Sequence, residues 1–484
     1  MALTPLVVAL VRPSAAAPSL RRAFFLGLLT GAVYFTVTLY WLVETMTTFG
    51  GLSLAIAVVA ATLLVAYLAL FPAVFAMVVL RLRRAMGVHW AVLCVPPVWV
   101  ATELGRQYVW DGFPWALLGY TQVSVLPIAQ LASVTGVYGL SFILALTSAT
   151  AALVIVERDT RRWKVAGTVA VLLVACAIWG RHRINEGSLA TAGDPVRVAV
   201  VQGNILQSEK WNRSLRDAII GRYIAMTRQA IERGATFIIW PESAMPVNFE
   251  DDAIRSSPIR RLARESNVTL LIGSDQEEGL RAGLHPGDPG YHLYNAAFLI
   301  KPDGTTAAVY RKMHLVPFGE YVPLQRLLFF VGPIVESVSS FTPGDTPVVL
   351  PVGNHLASTA ICYEVIYGNL IRQFVLNGSG LLTTITNDGW YGRTSAAYQH
   401  WDQASMRAIE NGRYLARAAN TGISGFVDPY GRVVEKSSLF EQTLIVQDVR
   451  FLQGRTIYSR IGDLIAWLCL AFSLAALLAS WRLR

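Results

Sequence analysis

The chain has 484 residues, of which 54% are hydrophobic and only 15% charged. That balance excludes an ordinary soluble enzyme and points to membrane spans. The net charge of +9 would suit a nucleic-acid partner, but much of it comes from arginines flanking apolar segments, so membrane topology explains it better and no nucleic acid is expected.

A membrane span needs about 20 apolar residues. Residues 1–11 are apolar but too short to cross; they read as the tail of a span or a chain that starts late. Spans are predicted over 23–44, 53–80, 88–104, 127–156 and 165–180, with a kink at Pro96-Pro97. Residues 113–126 are partly apolar but contain Gly, Pro and Gln, and they predict a re-entrant or interfacial piece. From 181 to 460 the composition is globular, and this block is large enough for one substantial core. Strands are predicted there over 196–203, 236–240, 268–273, 294–301, 306–311, 355–363, 381–386, 422–428 and 442–448. Helices are predicted over 213–234, 251–266, 367–376 and 396–411. Strands alternate with helices early and cluster later, which predicts an α/β sandwich of layered sheets. A last span covers 461–481. The organisation is therefore a polytopic helical membrane bundle (1–180), a soluble domain (181–460), and a membrane anchor with a short tail (461–484).

Basic residues fix the orientation. Clusters lie at Arg12, Arg21 and Arg22; at Arg81, Arg83 and Arg84; at Arg158, Arg161, Arg162 and Lys164; and at Arg482 and Arg484. The loop at 45–52 has no Lys or Arg, and the one at 105–112 has only Arg106. The alternation is regular if all the basic clusters are cytoplasmic. The soluble domain is then extracytoplasmic, provided 113–126 does not cross.

Cys362 is the only cysteine of that domain; Cys94, Cys176 and Cys469 lie in apolar segments. A thiol without a disulfide partner in an oxidising compartment is either an inert small hydrophobe or a nucleophile. Glu242 follows the apolar run Phe237–Trp240, Lys312 follows Ala307–Tyr310, and Cys362 follows Leu356–Ile361. Strand ends that open onto turns line the ligand crevice of α/β sheets, so these three groups could converge. Each also has a plainer reading. Cys362 alone is more often structural, Glu242 suits the start of a helix, and Lys312 suits a solvated basic turn. Glu320 could be a surface charge and Glu364 a helix-start charge. Trp211 and Trp390 could be core aromatics, and Arg413 could pair with Glu410. A Cys362–His314 pair has no distinctive spacing in its favour. No Gly-x-x-x-x-Gly-Lys-[Ser/Thr] loop or His-Glu-x-x-His motif is present, so no cofactor or metal is implied.

Five stretches carry a resemblance: Val201-Gln-Gly-Asn204, Trp240-Pro-Glu-Ser-Ala244, Lys312-Met-His-Leu-Val-Pro-Phe-Gly-Glu-Tyr-Val-Pro323, Ile361-Cys-Tyr-Glu364 and Thr386-Asn-Asp-Gly-Trp390. Here the chain resembles the nitrilase superfamily, with its αββα sandwich and Glu-Lys-Cys triad. With the flanking spans and Gly112-Phe-Pro-Trp115, it is similar to the bacterial apolipoprotein N-acyltransferases over nearly its whole length. The family has further spans near its N-terminus; six spans and an apolar fragment are legible here.

The resemblance implies acyl transfer from a phospholipid, phosphatidylethanolamine above all, to the amino group of a diacylated apolipoprotein's N-terminal cysteine. It implies Cys362 as nucleophile, Glu242 as general base and Lys312 as oxyanion stabiliser. Glu320 and Glu364 stand as supporting carboxylates, and Trp211, Tyr363, Trp390 and Arg413 as active-site or lid residues. The location implied is the extracytoplasmic face of the bacterial inner membrane, where Trp115, Trp390 and Tyr391 would suit the lipid interface. The competing reading is a membrane-anchored amidase that hydrolyses small amides with the same triad.

Overall fold

The computed structural model describes residues 3–12, 19–110, 112–279, 283–285, 288–321 and 341–482. Met1 and Ala2 of the N-terminal fragment, Val322 and Pro323 of the long motif, and Arg484 of the last basic cluster lie outside the described residues. The chain divides into two compact units. One comprises Met1–Thr47, Leu52–Glu186 and Thr456–Arg484; the other comprises Thr48–Gly51 and Gly187–Arg455.

In the first unit, six helices among the described residues are long and apolar enough to cross a membrane: Leu20–Thr38, Leu54–Met86, Val88–Tyr108, Ala132–Val156, Arg161–Thr191 and Leu464–Arg482. Their boundaries differ from the hydropathy reading for local reasons. The apolar stretch 23–44 straddles a helix break at Leu39, and a second short helix, Trp41–Thr48, follows. The stretch 127–156 also divides, into Leu126–Ala129 and Ala132–Val156, and the latter is interrupted at Gly136 (φ +67°). Only glycine fits there, because the Tyr458 ring lies 2.6 Å from where a Cβ would stand. The predicted span 165–180 is trimmed by its charged ends; the helix runs from Arg161 to Glu186, and after Gly187 (φ +60°) a short piece, Ser188–Thr191, extends it. Pro96 and Pro97 are buried inside one helix, Val88–Tyr108. The N-terminal fragment forms a helix, Thr4–Val11, whose Leu6, Val7, Leu10 and Val11 are buried in the bundle core.

Among the described residues, the segment after Tyr108 forms no long helix before Ala132; it holds a 3-10 turn at Leu118–Gln122 and the short helix Leu126–Ala129. Irregular backbone inside a membrane bundle must find its hydrogen bonds from protein. Here side chains supply them. Glu103 Oε1 accepts from the Leu118 N–H (2.8 Å), Ser141 Oγ accepts from the Gly119 N–H (2.9 Å), and the Tyr34 hydroxyl donates to the Ala116 carbonyl (2.9 Å). Arg106 donates to the Trp115 carbonyl (3.3 Å) and pairs with Glu103 (3.7 Å). Trp115 is 1% exposed against Trp41, so it is a core residue of this unit rather than the interface anchor that its position in the motif suggests.

The second unit contains twelve strands among the described residues: β1 (Asp194–Gln202), β2 (Phe237–Ile239), β3 (Thr269–Glu278), β4 (His292–Ile300), β5 (Thr306–Arg311), β6 (Leu350–Val352), β7 (His355–Ile361), β8 (Leu381–Thr386), β9 (Leu415–Ala419), β10 (Gly425–Val427), β11 (Val433–Lys436) and β12 (Thr443–Phe451). They form two six-stranded sheets, ordered β12-β1-β2-β3-β4-β5 and β11-β10-β9-β8-β7-β6. The sheets meet face to face, β1 on β9 and β4 on β7. Helices Arg216–Glu232 and Ala253–Ser266 cover the first sheet, burying Ile219, Tyr223, Met226 and Ile259 against Val201, Ile238 and Ile272. Helices Gly368–Leu376 and Ser395–Asn411 pack on the second-sheet side, where the latter contacts β9. This is the αββα sandwich expected from the resemblance.

Three strands escape the sequence reading: β6, β9 and β11. The most instructive is β9, Leu-Ala-Arg-Ala-Ala, whose composition favours helix and which is nevertheless fully buried as a strand. The predicted strand 422–428 shrinks to Gly425–Val427, and 355–363 ends at Ile361, so Cys362 lies beyond its strand.

Candidate active site

Four chain segments from both sheets bring the predicted groups together. Trp240-Pro241 carries the chain off β2 to Glu242, and the next residue, Ser243, has φ +44°. The turn is packed against β3, where a Cβ on Gly273 would lie 2.2 Å from the Pro241 carbonyl oxygen and 2.8 Å from Glu242 Cα. Gly273→Ala is expected to displace the carboxylate and to lower stability by about 1–3 kcal/mol. A thermal melt together with an activity assay checks this; unchanged values in both would show that the turn can give way.

Lys312 follows β5, and its N–H donates to the Asn295 carbonyl (2.8 Å). Its ammonium is 1% exposed and lies 2.9 Å from Glu320 Oε1 and 3.5 Å from Glu242 Oε1. The Asn295 side-chain amide donates to both carboxylates, at 2.7 Å to Glu242 and 2.9 Å to Glu320. The remaining oxygens are also occupied: Glu242 Oε2 accepts from the Asn387 N–H (2.7 Å) and Glu320 Oε2 from the Val316 N–H (2.8 Å). Burial pulls the Lys312 ammonium down, but the Glu320 and Glu242 carboxylates outweigh it and hold the group above its ordinary value.

Cys362 opens the 3-10 turn Cys362–Ile366 after β7, with φ +53°. A non-glycine residue in that region is strained and marks a turn held by its surroundings. The thiol is 6% exposed. Burial pushes it well above its ordinary range, the Glu242 carboxylate adds to the shift, and Lys312 opposes it. The resting group is therefore a protonated thiol.

Glu364 is fully buried and accepts from the Ile361 N–H (2.7 Å), the Met313 N–H (2.6 Å), the His314 N–H (3.1 Å) and the Tyr310 hydroxyl (2.7 Å). It ties the Lys312 turn to the Cys362 turn. Burial pushes Glu364 up to about 7, against the pull of these donors and Lys312.

The remaining predicted residues divide. Trp211 is half exposed and lies beside Lys210, whose ammonium is 5.9 Å from its ring. Trp390 is half-buried in the turn Asp388–Tyr391, edge-on to Phe49. Tyr363 is buried beside Tyr367 and His314. His314 packs its ring on Tyr367, at 3.8 Å between centroids. Arg413 is not brought to the cluster: it is buried, and its guanidinium donates to the carbonyls of Ser379, Asn411, Gly412 and Gly454. Nor does it pair with Glu410, whose partner is Arg407 at 3.2 Å.

Sequence reasoning missed Lys210, Asn295 and Asn387. Lys210 is 3% exposed and donates to the Glu242 carbonyl (3.1 Å); burial brings it down to about 8, with Glu242, Asp275 and Cys362 opposing. No local signal marks it, since a lysine beside a tryptophan reads as a solvated charge. Asn387 stands in one of the quoted motifs, and that was the available clue.

The fold of this unit is that of the carbon-nitrogen hydrolases, the class that includes the nitrilases, and residues 197–456 match that family. Residues 1–150 match the apolipoprotein N-acyltransferase N-terminal domain. The chain belongs to the apolipoprotein N-acyltransferase family. It is 39% identical to the Geobacter metallireducens apolipoprotein N-acyltransferase over 93% of this chain and 85% of the relative, and 33% identical to that of Methylococcus capsulatus over the same shares. Among solved structures, the amidase from Nesterenkonia sp. AN1 is similar over 58% of this chain and 98% of its own, at 21% identity and a TM-score of 0.42.

Proposed function

We propose that this multi-pass membrane protein moves an acyl chain from a phospholipid, through a thioester on Cys362, to the α-amino group of the N-terminal S-diacylglyceryl cysteine of apolipoproteins. The observation that carries the reading is the buried cluster of Glu242, Lys312 and Glu320, set beside a strained, protonated Cys362, in a chain of this family. Phosphatidylethanolamine is the donor, and the domain of residues 181–460 works on the extracytoplasmic face of the inner membrane, as the basic clusters favour.

Cys362 Sγ attacks the ester carbonyl as its proton passes to Glu242. The new carbon–sulfur bond leaves an oxyanion, stabilised by the field of Lys312. Collapse breaks the carbon–oxygen bond, and Glu242 returns the proton to the departing lysophospholipid. The acceptor amine then attacks the thioester, Glu242 takes its proton, and collapse releases the amide and restores the thiol. Two half-reactions through one covalent intermediate give ping-pong kinetics. Lys210 steadies the backbone of the base, Glu320 and Glu364 hold the Lys312 turn, and Trp211, Tyr363 and Trp390 line the approach for substrate.

Incubation with acyl-labelled phosphatidylethanolamine followed by mass spectrometry of Cys362 tests the reading. A thioester adduct that a diacylated peptide discharges supports it. Turnover of small amides with no adduct from lipid would replace it with the amidase reading. In the same assay Glu242→Gln should form no adduct, because the amide cannot accept the thiol proton; a normal adduct would remove Glu242 from the role of base.

A further inference from the structure

Behind the nucleophile lies a fully buried polar network that the mechanism above does not use. His400, on the helix Ser395–Asn411, places Nε2 3.0 Å from the main-chain carbonyl oxygen of Cys362. On its other side, Nδ1 lies 3.0 Å from Arg417 Nη2 and 3.0 Å from Asp388 Oδ1. Arg417, from β9, also donates to Asp388 Oδ2 (2.8 Å), the Thr384 hydroxyl (3.1 Å) and the Ile423 carbonyl (3.2 Å). Thr386 donates to Asp388 Oδ1 (2.8 Å). His400, Arg417 and Asp388 are all 1% exposed or less.

The donor and acceptor roles follow from chemistry. A carbonyl oxygen only accepts, so His400 Nε2 carries a hydrogen. At Nδ1 two neighbours compete, the Arg417 guanidinium, which only donates, and the Asp388 carboxylate, which only accepts, while Arg417 Nη2 also donates to Asp388 Oδ2. Burial first, and then the Arg417 guanidinium, disfavour protonation of His400 while the Asp388 carboxylate favours it; the net direction is downward, toward the neutral imidazole with its hydrogen on Nε2. The chain of command runs from Asp388 to Arg417 to His400 to the Cys362 carbonyl.

That carbonyl shares a peptide unit with the Tyr363 N–H. The chain has no cis peptide bonds among the described residues, so the two groups point in opposite directions. Holding the carbonyl toward His400 turns the Tyr363 N–H the other way, and a hydrogen bond accepted at the oxygen polarises the N–H across the amide. The N–H after a nucleophile is a frequent oxyanion donor. The Lys312 ammonium, by contrast, already lies against the carboxylates of Glu320 and Glu242.

We propose that His400, fixed by Arg417 and Asp388, is a positioning residue for acyl transfer: through the Cys362 carbonyl it holds the left-handed nucleophile turn and aims and polarises the Tyr363 N–H toward the oxyanion. The inference rests on the proposed role of Cys362. A purely structural buried histidine would support folding without discriminating between reactions of the thiol.

The experiment compares His400→Gln, whose amide nitrogen reaches the Nε2 position, with His400→Asn, whose amide ends short of the Cys362 carbonyl. Each is assayed in the full-length protein for acyl-adduct formation from labelled phosphatidylethanolamine and for alkylation of Cys362 by iodoacetamide, a displacement that builds no oxyanion. His400→Gln should stay within about 5-fold of the parent in both, while His400→Asn should lose about 10- to 100-fold in acylation and no more than about 3-fold in alkylation, set against the 100-fold or more typical of losing an oxyanion donor outright. Equal acylation by the two variants, or parallel losses in both reactions, would overturn the proposal. If His400→Asn does not fold, the decision passes to His400→Gln, whose acylation must hold within the stated range while its melting temperature is measured. Failure of the parent to form any lipid-derived adduct would overturn the proposed function itself, a result distinct from either outcome above.

Discussion

Cys362→Ser is expected to lower acyl-adduct formation by about four orders of magnitude or more, the scale of losing a nucleophile from a coupled catalytic group. The substitution is nearly isosteric. It leaves the φ +53° turn and the His400 contact to the backbone carbonyl intact, so the loss would report chemistry rather than folding. The cause is acidity. Even the native thiol is held protonated by burial and by the Glu242 carboxylate, and in the proposed mechanism attack depends on proton transfer to that same carboxylate. A serine hydroxyl begins several pK units higher in any environment, and a carboxylate is too weak a base to close that gap. Mass spectrometry of residue 362 after incubation with labelled lipid gives the readout. An oxygen ester accumulating at the parental rate would contradict the role of thiol acidity.

The second large effect is expected from Lys312→Met, and it falls on stability as well as activity. The ammonium lies between two carboxylates that share one asparagine donor, and all three side chains are nearly buried. Removing the cation leaves Glu242 and Glu320 facing each other with only the neutral donors of Asn295, Asn387 and Val316 to hold them. Breaking a buried ion pair in this way costs about 3–5 kcal/mol. In the parent, against the pull of burial, the two carboxylates hold Lys312 above its ordinary value, so its contribution is fully present below the ordinary lysine pKa of about 10.4 and is lost only as pH rises through the folded value. The variant should therefore melt below the parent by a similar margin from about pH 6 to about pH 9. Thermal melts across that range check it; a variant that melts with the parent would show that this lysine does not stabilise the two carboxylates.

The strand-end placement of Glu242, Lys312 and Cys362 was legible because apolar runs stop abruptly before each of them. Glu320 and Glu364 come from the resemblance alone; the structure places Glu320 against the Lys312 ammonium and Glu364 on the backbone of the two turns. Residues whose roles depend on a distant partner were not legible. Asn295 sits within β4 and looks like any strand residue, yet it bridges both carboxylates across the turn. Lys210 sits in a four-residue helix and becomes a buried ammonium only once Glu242 lies over it. Arg417 sits in an alanine-rich pentapeptide that favours helix; the pairing of β9 with β8, together with the buried Asp388, overrides that preference. Arg413, conversely, is a nearby cation whose carbonyl partners make it a clamp for the chain rather than part of the cluster.

Glu364 has one more consequence. Its carboxylate joins the end of β5, from one sheet, to the end of β7, from the other. The turns that carry Lys312 and Cys362 are thus tied into one body across the two sheets. Under the proposed function, substrates that differ in size or shape would then be sorted by how well they fit past the exposed rings of Trp211 and Trp390 and not by the chemical step. Under that function, such a division would let one rigid site serve many acceptors that share little beyond one amine.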